Sequence, residues 1–200
     1  MFSKSELRRY ARHFALPNFG KEAQLKLKNA RVLVVGAGGL GSPVLLYLAA
    51  AGVGNIGIVD FDKIEDSNLQ RQVLFTVRDV GQPKAETAKR RLLELNPFIN
   101  IKTYPVALTA ENALAIIKNY DFVADGTDNF PTRYLVNDAC VLLKKVNVYA
   151  SIFRSEGQVA VFNVLKKDGT RSTNYRDLFP QPPAPNTVPN CVEGGVLGVL

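Results

Sequence analysis

Five groups of residues in this 200-residue chain have types and spacings that could carry chemistry. The first is Gly36-Ala37-Gly38-Gly39-Leu40-Gly41-Ser42, which contains a G-x-G-x-x-G pattern. Its glycines let a turn tighten and let a phosphate approach the backbone, and a helix N-terminus behind them offers free N–H groups. The second is Asp60 with Asp62; Asp60 lies 19 residues beyond Gly41, where a Rossmann-type unit places a carboxylate against ribose hydroxyls. The third is Ser67-Asn68-Leu69-Gln70-Arg71-Gln72, and the fourth is Lys84 at a helix start after Gly81. The fifth is Asp125, Asp128 and Asn129 with Arg133. Two cations and several carboxylates around one nucleotide suit a triphosphate with Mg²⁺ better than a dinucleotide. Arg71 and Lys84 would neutralise phosphate oxygens, and Asp128 would hold the metal. Taken singly, each has a plainer explanation: Lys84 and Arg133 as solvated helix charges, Asp128 as a helix cap, Arg71 in a surface ion pair. Together on one side of a sheet, they read as a site.

The elements that must position them follow from periodicity. Residues 32–35 are a short apolar run expected to form a buried parallel strand, followed by an apolar helix to about Gly52. Further strands are expected at residues 55–60, 99–106, 122–124 and 146–150, alternating with helices from Lys84 to the Asn96-Pro97 stop, over 110–118 and from Pro131 onward. That last helix should bury Leu135, Val136, Ala139, Leu142 and Leu143. Residues 61–80 show no period, although Leu69, Val73, Leu74 and Phe75 should bury. Residues 152–154 and 157–163 alternate like an antiparallel pair. The sum is an α/β fold, a Rossmann-like doubly wound, mainly parallel sheet with an antiparallel extension and N-terminal helices. The clusters fall at the C-terminal ends of its strands, where open α/β sheets bind ligands.

At the start, Ser3 and Glu6 have capping-box spacing, with Leu7, Tyr10, Ala11 and Phe14 at helical intervals, and a second helix runs from Phe19 to about Lys28. Arg8, Arg9 and Arg12 then read as solvated charges. Toward the end, residues 166–195 are expected to be a proline-rich, extended crossing loop within one 1–200 domain. The final apolar residues 196–200 break off without a terminator, which reads as a fragment boundary.

A formal charge of +7 could signal nucleic acid, but the Lys and Arg residues are scattered and no aromatic-interleaved basic stripe occurs. Phosphate-bearing small molecules or an acidic protein partner account for the charge equally well. No apolar run reaches transmembrane length, and two cysteines without a signal peptide point to the reducing cytoplasm.

The five motifs, with Arg9-Tyr10-x-Arg12 and Asn190-Cys191, resemble the ubiquitin-activating superfamily, above all its bacterial MoeB/ThiF adenylyltransferases, over nearly the whole chain. That resemblance implies ATP and Mg²⁺ as cofactors and a MoaD- or ThiS-like ubiquitin-like sulfur-carrier protein as partner. It places the glycine loop, Gly39 above all, under the phosphates, Asp60 by the ribose, Asn68 and Arg71 at the phosphates with Lys84 beside them, and Asp128 on the metal with Asn129 nearby. It also counts Asp62 and Ser67 among the nucleotide-binding residues. It also implies a homodimer in which Arg12 enters the neighbouring pocket, contrary to the solvated reading. Cys191 matches a loop cysteine that relatives use for a persulfide or thioester link; its plain reading is an inert thiol.

The resemblance also shows a departure. Family members often bind structural zinc through paired Cys-x-x-Cys motifs, but the matching segment here is Thr170-Arg171-Ser172-Thr173-Asn174-Tyr175-Arg176, so no zinc is expected. In this it is similar to members carrying a rhodanese domain, which would lie beyond residue 200. Two other functions stay open: an adenylating relative acting on a modified tRNA base, and an NAD-dependent oxidoreductase, which would use only the glycine loop and Asp60.

Overall fold

In this computed structural model, residues 1–184 and 195–198 are described. Helices α1 (Lys4–Arg9), α2 (Ala11–Phe14) and α3 (Gly20–Asn29) precede a repeating strand–helix pattern. It runs β1 (Arg31–Val35), α4 (Gly41–Ala51), β2 (Asn55–Val59), α5 (Lys84–Leu95), β3 (Asn100–Tyr104), α6 (Ala113–Ile117), β4 (Phe122–Asp125), α7 (Phe130–Leu142), β5 (Val146–Phe153), β6 (Glu156–Phe162) and α8 (Tyr175–Leu178). Sheet order is β3-β2-β1-β4-β5-β6, parallel from β3 through β5 and antiparallel between β5 and β6. The chain reverses direction of winding between β1 and β4, and a doubly wound sheet opens its ligand crevice there.

Side chains of β1 alternate between the two faces, as strand geometry requires. Val32 and Val34 join Ile56, Ile58, Leu45 and Leu92 under α4 and α5, whereas Leu33 and Val35 join Val123, Ile117 and Val136 under α6 and α7. A third cluster, Tyr134, Tyr149, Phe162 and Tyr175, seats α8 against β5 and β6.

Several expectations need correction. The strand over 146–150 and the first arm of the hairpin are one continuous β5, because β6 pairs with it from Asn147 to Phe153. The first helix breaks at Tyr10, whose side chain is buried and whose hydroxyl accepts from Asn96 Nδ2 at 2.8 Å. Leu142 and Val73 stay exposed, since α7 ends with Leu142 turned from the sheet and Val73 lies in an irregular stretch. Residues 166–184 are not wholly extended: Asn174 caps α8 with a capping box to Asp177. The remainder of the proline-rich stretch, 185–194, lies outside the described residues and takes Cys191 with it.

Candidate active site

Gly36 (φ +89°) turns the chain at the end of β1, and its N–H donates to Val59 at 2.8 Å. A side chain on Gly41 would collide with the Gly36 carbonyl oxygen, so glycine there lets α4 start directly behind the loop. Ser42 Oγ donates to the Ala37 carbonyl at 3.1 Å, and Ala37 N–H donates to Asp60 Oδ2 at 2.7 Å. These bonds fix the loop from its inner side. The N–H groups of Gly38, Gly39, Leu40 and Gly41 make no hydrogen bond among the described residues. Four consecutive free donors at the start of an eleven-residue helix form an anion seat.

The seat opens into a cavity of about 480 Å³ at the β1/β4 crevice. Gly36, Gly38, Gly39, Asp60, Asp62, Asn68, Arg71, Lys84, Asp128, Asn129 and Arg133 all line it. Four described candidates, Gly41, Ser67, Arg12 and the buried Asp125, do not line it with them. Gly41 packs behind the loop, and Ser67 faces Glu65, to which its hydroxyl donates at 3.3 Å. Arg12, on α2, is exposed and away from this cavity, and Cys191 is outside the described residues.

Asp60 is buried, and that burial pushes its carboxyl up against the opposing pull of the Ala37 and Asp62 N–H donors. Each of its oxygens already accepts one bond, Oδ1 from Asp62 N–H at 2.9 Å, and each keeps a lone pair for a hydroxyl. Lys84 Nζ reaches Asp62 Oδ2 at 3.0 Å. Arg71 lies across Gly39, with its Cδ 3.3 Å from where a β-carbon on that glycine would stand, and its Nη1 donates to the Ser67 carbonyl at 3.1 Å. Its charge is therefore unpaired by any carboxylate among the described residues. Asn68 is buried and closes the 3-10 turn Asp66–Asn68, its Oδ1 accepting from Glu65 N–H at 3.2 Å.

On the opposite wall, Asn129 is the N-cap of α7 and accepts from Thr132 N–H at 2.9 Å. Asp128 immediately before it is exposed to the cavity, and its carboxylate has no partner among the described residues. A hard oxygen donor left free beside a phosphate seat fits Mg²⁺, which takes one or two carboxylates and completes its shell with phosphate oxygens and water. No cluster of three His, Cys, Asp or Glu side chains stands close enough to cage an ion among the described residues. The donor set thus fits a cation arriving with a nucleotide.

Two lining residues belonged to the sequence groups without a role of their own. Gln72 is 2% exposed, its Oε1 has no partner among the described residues, and its Nε2 lies beside Gly38. Arg133 is no solvated helix charge: it is 6% exposed and stacks against Phe130 and Tyr149. Only the spacing Asp128-Asn129-x-x-x-Arg133, which returns Arg133 to the first turn of α7, hinted at this. Cys140 is core, and burial foremost, then the charge of Asp125, pushes its thiol up to about 12.

A doubly wound sheet with a phosphate seat, two basic side chains and a free acid at its switch point defines a nucleotide-binding α/β domain. The chain belongs to the ThiF family, whose model matches residues 10–200. It is 56% identical over 198 residues to the probable adenylyltransferase/sulfurtransferase MoeZ of Mycobacterium tuberculosis, across 99% of this chain and 50% of the relative. It is 57% identical over 199 residues to the sulfur carrier protein adenylyltransferase of Thermus thermophilus, across 100% of this chain and 73% of the relative. The chain thus spans about half the length of the MoeZ relative. Among solved structures, E. coli MccB with ATP is 34% identical with a TM-score of 0.67, over 76% of this chain and 46% of that one. E. coli tRNA N6-threonylcarbamoyladenosine dehydratase, TcdA, is 28% identical with a TM-score of 0.68, over 73% and 61%.

Proposed function

We propose that this domain adenylates the C-terminal glycine of a small ubiquitin-like sulfur-carrier protein with ATP, releasing pyrophosphate, for sulfur transfer in molybdopterin or thiamine biosynthesis. The observation that carries the reading is the facing pair of walls: free N–H donors with Arg71 and Lys84 on one, the unpartnered Asp128 on the other. A dinucleotide fold for hydride transfer has no need of the second wall. The names of the Mycobacterium and Thermus relatives support the same chemistry and its substrate class.

The carrier's terminal carboxylate attacks the α-phosphorus; a new O–P bond forms as the bond to the bridging oxygen breaks, and pyrophosphate leaves with the electron pair. The nucleophile is already ionised at neutral pH, so the chain need not supply a general base, and its one histidine, His13, is no loss to the chemistry. Catalysis falls to orientation and charge neutralisation. The backbone donors of 38–41 hold phosphate oxygens, Arg71 crosses the loop to the same oxygens, and Lys84 turns from Asp62 toward them. Asp60 holds the loop and accepts from ribose, with Asp62 beside it, while Asn68 reaches the phosphates with Arg71. Asp128 would hold Mg²⁺, with Asn129 beside it, and the ion when bound supplies further neutralisation of phosphate charge. Arg12 of a second copy would complete the pocket in a homodimer, and Cys191 would carry a covalent link to sulfur or carrier.

ATP–pyrophosphate exchange with a Gly-Gly-ending carrier tests the reading. Carrier-dependent exchange should fall at least about 100-fold in Asp128→Ala. Thermal stabilisation by NAD but not by Mg-ATP would sink it in favour of an oxidoreductase. Mg-ATP binding without exchange on any small carrier would favour the second reading, an adenylating tRNA-modifying enzyme, to which the TcdA likeness points.

A further inference from the structure

Thr127, next to Asp128, is held at three of its atoms. Asp125 Oδ1 accepts from Thr127 N–H at 3.0 Å and from its hydroxyl at 2.6 Å. Arg133 Nη2 donates to the Thr127 carbonyl at 3.2 Å and to Ser151 Oγ on β5 at 3.2 Å. On the other side of Asp128, the carbonyl of Asn129 accepts from Arg133 N–H at 3.2 Å while its side chain caps α7. Both neighbours of Asp128 are therefore fixed, and its own side chain alone projects free.

The holding groups give up satisfaction of their own to do this. Arg133 is buried, forms no ion pair among the described residues, and its Nε has no partner. Asp125 is 2% exposed, and its second oxygen is equally unpaired. Buried charges left partly unsatisfied cost stability, and packing alone would be served better by apolar residues of the same volume. What the arrangement does achieve is a defined turn at 126–129.

We propose that Asp125, Thr127 and Arg133 are positioning residues that hold Asp128 where it takes a divalent cation carried by the nucleotide phosphates. This rests on the reading of the pocket as a Mg-ATP site and adds to it the residues that set its cation affinity. Groups that orient a metal ligand change metal affinity by about 10–100-fold when removed.

The test measures ATP affinity of the full chain calorimetrically, once with EDTA and once with Mg²⁺. Thr127→Val exchanges the hydroxyl for a methyl group, and Arg133→Lys keeps the charge but cannot span Thr127 and Ser151 together. In both, the ratio of ATP affinity with Mg²⁺ to ATP affinity in EDTA should shrink about tenfold. Asp128→Asn should abolish the tightening, and adding Thr127→Val to it should change nothing further. Wild-type Mg²⁺ dependence in both single variants would overturn the proposal. So would an additional loss in the double variant, or ATP affinity in the wild type that ignores Mg²⁺. Should carrier-dependent exchange fail while Mg²⁺-dependent ATP binding behaves as stated, the adenylation reading falls and the positioning role stands.

Discussion

Lys84 and Asp62 are 3.0 Å apart, but the lysine side chain is 8% exposed and the aspartate 50%. A pair open to solvent at one end contributes at most about 1 kcal/mol to stability. Lys84→Met should therefore leave the melting temperature within a few degrees of wild type. The same change removes a positive charge from the phosphate wall, so exchange should drop about 100-fold or more. A thermal scan beside the exchange assay separates the two effects, and equal damage to both would refute a phosphate role. Gln72 gives the converse case. Gln72→Glu keeps the shape but brings a negative charge to the Gly38 face of the seat, and ATP affinity should weaken about tenfold or more, with the loss reduced at high salt. The residue types of the walls were legible in the sequence because glycine, lysine, arginine and aspartate sit where their chemistry is used. Burial was not legible, which is why Arg133, placed in the fifth group, and Gln72, placed in the third, were given no role of their own.

Residues 61–83 carry Arg71 and Gln72 with no regular element beyond two 3-10 turns, so something else must hold them. Asp79 does so. It is 1% exposed and accepts from Thr76 N–H and Oγ1 at 2.9 Å, Arg90 at 2.6 Å and Arg91 at 2.7 Å, the last two on α5. Burial alone would raise its carboxyl, but Arg91, Thr76 and Arg90 together hold it well below the usual carboxylate range. With the unfolded value near about 3.9, this stabilisation is complete above about pH 5 and is lost as the pH falls toward the depressed folded value. Asp79→Asn should cost about 3 kcal/mol in urea unfolding at pH 7, and the gap to wild type should narrow at pH 3. An unchanged gap would mean that Asp79 does not titrate in this way. Gly41→Ala should displace the loop from α4, weakening ATP binding as well as stability by about 1–3 kcal/mol. At this scale the sequence yielded every strand–helix repeat, since apolar periods and the Asn96-Pro97 stop are local signals. It misplaced the joint of β5, which depends on pairing with β6, and missed α8, whose formation depends on Asn137 Oδ1 accepting from Tyr175 N–H at 2.8 Å, 38 residues away in sequence.

For the whole molecule, the doubly wound, mainly parallel sheet with its antiparallel end followed from the alternation of strands and helices, whereas the strand order came from the structure. No helix among the described residues is long and apolar enough to cross a membrane. Arg12 is different in kind. Its neighbour Arg9 donates to the Leu95 carbonyl at 2.8 Å and lies over Phe98, whereas Arg12 is exposed and has no partner among the described residues. Nothing among the described residues of one copy gives it a task, so a role in a second copy's pocket has to be tested between copies. In a two-fold dimer each pocket would combine Asp128 of one chain with Arg12 of the other. Arg12→Ala and Asp128→Ala should each be inactive alone. Co-expressed with separate affinity tags, they pair at random into about half mixed dimers, each with one intact and one doubly damaged pocket, restoring about a quarter of wild-type exchange. Mixed dimers purified through both tags should reach about half. If mixed dimers form and stay inactive, Arg12 acts within its own chain, and the pocket must find its remaining positive charge elsewhere.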